Sequence, residues 1–109
     1  MLEVREYLDS KGHSPFARWF NGLNASAAAK VATAVVRMEQ AHKSSFKSVG
    51  AGLWEYRIDF GPGYRIYLGK DGDELIILFG GGTKRRQQKD IEKARTMWKD
   101  YKQRKKQET

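Results

Sequence analysis

From Leu53 to Phe79 apolar and polar residues alternate, and two turn signals divide that alternation into three strands. Tyr56, Ile58 and Phe60 share one face of the first, with Glu55, Arg57 and Asp59 on the other. After Gly61-Pro62-Gly63, Tyr64, Ile66 and Leu68 alternate with Arg65 and Tyr67. After Asp71-Gly72, Leu75, Ile77 and Phe79 alternate with Ile76 and Leu78. A one-residue slip inverts a strand, so turn length checks the faces. A Gly-Pro-Gly loop pairs Phe60 with Tyr64, Ile58 with Ile66 and Tyr56 with Leu68. A two-residue Asp-Gly turn pairs Leu68 with Leu75, Ile66 with Ile77 and Tyr64 with Phe79. Both registers give one continuous apolar face, which predicts an antiparallel three-stranded meander packed on a helical layer.

That layer is written upstream. Leu2–Tyr7 alternates as a short N-terminal strand. Ser14-Pro15 marks a helix start, Phe16, Trp19 and Phe20 follow at helical spacing, and Asn21-Gly22 ends the helix. A second helix begins near Asn24 and runs to about Ala41, with Val31, Val35, Met38 and His42 in one stripe. The short connection predicts an antiparallel helical hairpin. A last helix starts near Thr83, its apolar positions being Ile91, Ala94, Trp98 and Tyr101. The expected fold is α+β, two layers in the order β-α-α-β-β-β-α. It forms one domain over residues 1–101, followed by a basic, flexible tail over 102–109.

On the polar face of the meander this register sets Asp59 opposite Arg65 and Arg57 opposite Tyr67, with Glu55 one step along. Cross-strand ion pairs on a solvated surface would account for these charges. Ile76 and Leu78 on the same face require a cover, however, either the last helix or a partner. The stretch "GGGTKRR" at 80–86 adds Lys84, Arg85 and Arg86 at a helix start, where cations oppose the helix dipole unless an anion sits there. Beside Arg57 and Arg65 it makes a candidate phosphate site, though the spacing is not that of a P-loop. The formal charge of +8 fits nucleic acid or an acidic protein as partner, and the excess persists without the tail.

Other chemistries find little footing. There is no cysteine, and His13 and His42 are isolated, so neither a metal nor another cofactor is expected. No serine lies in a nucleophile-elbow context. No apolar run approaches membrane-spanning length and the N-terminus lacks a signal-peptide core, so the expected location is the cytoplasm.

Residues 52–98, "GLWEYRIDFGPGYRIYLGKDGDELIILFGGGTKRRQQKDIEKARTMW", resemble the toxins of the RelE/ParE superfamily. The similarity is to the HigB-like, addiction-module killer group of type II toxin–antitoxin systems. It is carried by W-E-Y-R at 54–57, G-P-G-Y-R-I-Y at 61–67, the glycine turn with Lys84, and D-I-x-x-A at 90–94 followed by Trp98. The resemblance implies a RelE-like fold and a ribosome-dependent mRNA endonuclease that inhibits translation without a metal, the substrate's 2′-hydroxyl attacking the adjacent phosphate. It implies roles for Arg65 in stabilising the phosphorane, for Arg57 on the preceding strand, and for Lys84 assisted by Arg85, while Arg86 joins the phosphate contacts only on the reading of the basic helix start. Glu55 is a candidate base or an orienter of Arg57, and Tyr67 a candidate acid or a structural residue. The implied partners are mRNA on the ribosome and a helix-turn-helix antitoxin through which the complex reaches DNA. Leu68, Thr83 and Arg85-Arg86 depart from the group's usual residues. A ParE-like inhibitor of DNA gyrase and an inactive toxin kept as a complex partner are the competing readings.

Overall fold

The computed structural model describes residues 2–40 and 46–108. A five-stranded mixed sheet in the order β1-β5-β4-β3-β2 stands between helices on both faces. Its strands are β1 (Glu3–Glu6), β2 (Phe46–Gly50), β3 (Leu53–Ile58), β4 (Tyr64–Asp71) and β5 (Leu75–Thr83). Its helices are α1 (Pro15–Asn21), α2 (Ala25–Glu39) and α3 (Gln87–Glu108). β1 runs parallel to β5, and all other pairings are antiparallel.

The helical pair forms where its caps direct. Ser14 Oγ accepts from Ala17 N–H at 3.0 Å with Pro15 at the first helical position, and Asn24 Oδ1 accepts from Ala27 N–H at 2.9 Å. Val31, Ala34 and Met38 of α2 and Phe16 of α1 bury against Tyr56, Ile66, Leu68, Ile76 and Leu78. The opposite face holds Leu53, Tyr67, Ile77 and Phe79 against Ile91, Ala94 and Trp98 of α3. Gly69 lies directly beneath the Trp98 ring, where a β-carbon would crowd the indole at 2.9 Å.

Several expectations change. The meander has four strands, because Phe46–Gly50 pairs with β3. Phe46 packs on the α1–α2 face and Val49, three positions on, packs on the α3 face, so no apolar alternation along one face marks the strand, and its ladder shifts between Ser48 and Gly50. The layers number three rather than two, because α3 covers the face expected to be polar. Tyr56 lies opposite Ile66 and Ile58 opposite Tyr64, two residues from the expected register. Phe60 O accepts Gly63 N–H at 3.0 Å, so that turn consumes the groups Phe60 would have offered Tyr64. Slipping by two keeps the faces of β3 and β4.

The Asp71-Gly72 turn fares differently. Asp71 pairs with Leu75, leaving Gly72–Glu74 as a three-residue connection with Gly72 at φ +71°. That odd slip inverts β5, so Ile76 and Leu78 join the α1–α2 core while Ile77 and Phe79 face α3. The residues from 102 to 108, expected as a loose tail, continue α3. Arg104 donates to Leu8 O at 2.6 Å and pairs with Asp100, and Lys105 pairs with Asp71. His42, at the end of the expected α2 stripe, lies outside the described residues. Among those residues no helix is long and apolar enough to cross a membrane.

Candidate functional site

The shifted β3–β4 register sets the geometry of the site. Arg57 stands directly opposite Arg65 and Glu55 opposite Tyr67, correcting the expected Arg57–Tyr67 and Asp59–Arg65 pairs. Asp59 is exposed in the connection. Two arginines facing each other across a ladder repel unless a negative group lies between or beside them.

Glu55 supplies part of that charge. It is 0% exposed and its Oε2 lies 3.5 Å from Arg65 Nε, with Arg65 itself 4% exposed. At that distance the contact is an ion pair without a hydrogen bond, and Arg65 Nε has no hydrogen-bond acceptor among the described residues. Gln87, at the start of α3, donates through Nε2 to Glu55 Oε2 at 3.0 Å. Glu55 therefore holds Arg65 rather than Arg57, and it is sealed from any substrate.

Tyr67, 1% exposed, is equally enclosed, and its hydroxyl has no partner among the described residues. Burial pushes its phenol above the usual range, with the Glu55 and Asp90 charges adding to the rise against a lesser opposing effect of Arg65. It stays a neutral phenol. Asp90 of α3 is raised as well, by burial, against the lowering influence of Arg86 and Lys93. Its Oδ2 is pressed against Gly82.

The remaining cations are on the surface. Arg57, Lys84, Arg85 and Arg86 are exposed. Lys84–Arg86 form a 3₁₀ turn rather than the first turn of α3, and the Thr83 side chain makes no cap hydrogen bond. Lys84 N–H donates to Gly63 O at 3.0 Å, fastening that turn to the entry of β4. Strand pairing and this bond gather Arg57, Arg65 and Lys84 near one end of the sheet. Arg86 instead lines a cleft of about 670 Å³ between α1 and α3, floored by Gly80–Gly82 and walled by Trp19, Tyr64, Tyr67 and Asp90.

Three residues of this region escaped sequence reasoning. Gln87 carries no motif at all. Asp90 was visible only as a letter of D-I-x-x-A, and Trp19 as one more core aromatic. Among the described residues no group of His, Asp and Glu could hold a metal ion.

The family model described as phage-derived protein Gp49-like (DUF891) matches residues 18–99. An "Uncharacterized protein" of Haemophilus influenzae is 40% identical over 83 residues, spanning 75% of this chain and 84% of the relative.

Proposed function

Taking as premise that the chain belongs to the Gp49-like (DUF891) family of phage-derived proteins, we propose that it is the toxin of a type II toxin–antitoxin module, a HigB-like mRNA endonuclease acting on the ribosome. The observation that carries this reading is the opposed Arg57–Arg65 pair beside Lys84, of which Glu55 compensates only the buried member. Arg57, Lys84 and Arg85 form no ion pair with a carboxylate among the described residues. A phosphodiester supplies the missing negative charge.

In that reaction the 2′-oxygen of the substrate attacks the adjacent phosphorus and the 5′-oxygen leaves, giving a cyclic phosphate and a free 5′-hydroxyl. Charge grows on the phosphorane oxygens, and fixed cations stabilise it. Arg57 and Lys84 are the contact groups, backed by Arg65, which Glu55 and Gln87 hold in place. Glu55 is a positioning residue, not a base, and a buried neutral Tyr67 is not poised as an acid. The partners of this reading are mRNA in the ribosome and a helix-turn-helix antitoxin that neutralises the protein.

Primer extension on transcripts recovered from a purified translation reaction tests it. Wild-type protein is expected to produce cuts that Arg57→Ala and Lys84→Ala each reduce about 100-fold, the scale of losing one preorganised charge contact. Intact transcripts with wild type would overturn the nuclease reading. The enclosure of Glu55, Arg65 and Tyr67 favours one alternative, a ParE-like inhibitor that binds DNA gyrase without chemistry. Gyrase-dependent plasmid cleavage with uncut mRNA is the result that selects it.

A further inference from the structure

At Leu78 the pairing of β5 changes. β1 accompanies it only from Leu75 to Leu78, ending with Tyr7 N–H donating to Leu78 O at 2.9 Å. β5 runs on to Thr83 against β4 alone. Gly80–Gly82 therefore present an open strand edge, whose main-chain N–H and C=O groups must be met by water or by another strand.

Open edges are ordinarily blunted by lysine, proline or a covering element. This one is glycine, half-buried at Gly80 and Gly81 and buried under Asp90 at Gly82, and it forms the floor of the cleft. Trp19 of α1 stands over Gly81 on one side and Asp90 of α3 over Gly82 on the other. The lining combines the aromatic rings of Trp19, Tyr64 and Tyr67 with exposed Arg18, Arg86 and Lys93, against the single carboxylate of Asp90.

We propose that this cleft docks an extended acidic segment of a partner protein, which adds to β5 along Gly80–Thr83 as a strand collinear with β1. Main-chain hydrogen bonds give such a complex its affinity, and alternate side chains read the two walls. Apolar residues of the segment meet Trp19, and acidic ones meet Arg86 and Lys93. The formal charge of +8 steers the segment in. An RNA strand shares the charge but lacks the regular alternation of donors and acceptors that a strand edge offers. The site does not depend on nuclease activity, so it stands or falls separately from the toxin reading.

The test is an amide-resolved NMR titration of the full chain with a short capped peptide alternating valine and glutamate. Controls are the same peptide with lysine for glutamate, and with alternate backbone nitrogens methylated. The acidic peptide is expected to shift the amides of Gly80–Thr83, with affinity falling about tenfold or more in both controls and on raising salt. Gly80→Val places a side chain where a β-carbon meets nothing within 4 Å, so it should keep the fold and lose the peptide. Failure of the acidic peptide to bind, or indifference to N-methylation, overturns the proposal even if that variant misfolds. Displacement of the peptide by a single-stranded RNA that shifts the same amides also overturns it, and makes the cleft an RNA site.

Discussion

A β-carbon added at Gly82 would collide with the Asp90 carboxylate, and one at Gly81 with the Trp19 ring, whereas one at Gly80 finds open space. Three adjacent glycines thus differ in what they permit. Gly82→Ala and Gly81→Ala should each cost about 1–3 kcal/mol by overpacking, while Gly80→Ala should be neutral or gain about 0.5 kcal/mol. Urea denaturation of the three variants checks the order. Removing a buried ionic partner is costlier, so Glu55→Ala should lose about 3 kcal/mol by leaving Arg65 uncompensated. Tyr67→Phe deletes a buried hydroxyl that has no partner and should leave stability unchanged or improved. A large loss of cleavage in that variant, with stability intact, would restore Tyr67 as an acid. The identities of Arg57, Arg65 and Lys84 as a group were legible in the letters. Their burial was not, because nothing local in W-E-Y-R or G-Y-R-I-Y says that a helix eighty-odd positions into the chain will close over Glu55 and Tyr67.

Caps and helical spacing located α1 and α2 well, since Ser14-Pro15 and Asn24 act within a few residues of themselves. α3 was harder at its end, where a run of lysines and arginines reads as solvated tail until Asp71 and Leu8 are brought alongside. Asp71 accepts from the Tyr101 hydroxyl at 2.6 Å and pairs with Lys105. Lys105, then Tyr101, hold its carboxyl below the usual 3.8. That contribution is complete above pH 3.8 and fades as pH falls through the lower folded value. Burial, then the bond to Asp71, pushes Tyr101 from 10.0 up to about 12. A phenol raised on folding stabilises below pH 10 and loses that contribution as pH rises through about 12. The C-terminal turns of α3 should therefore loosen at both extremes. Helical circular dichroism should show both transitions in the wild type and lose the acid one in Asp71→Asn, a variant expected to cost about 1–2 kcal/mol as a charge-assisted bond weakens.

Across the whole molecule, the composition of each strand foretold a sheet, but pairing depends on connections, and connections obey hydrogen bonds that composition does not record. The Phe60–Gly63 turn moved one register by an even step and did no harm to the faces. The three-residue connection at Gly72–Glu74 moved the next by an odd step and exchanged the faces of β5. Two cores resulted where one was expected, and a chain this short buries both by sharing one sheet between them. Inside β5 a second change of phase occurs between Phe79 and Gly80, where two residues oppose Tyr67 alone. Phe79 and Gly80 consequently point the same way, and only after that step does Gly81 meet Trp19 and Gly82 meet Asp90. The strand behaves like two sentences sharing a line. Loss of the codon for Phe79 or Gly80 would remove only the doubled position and leave Gly81 and Gly82 on the faces they already hold, so descendants of this gene can shed one residue here without turning the far half of the strand over.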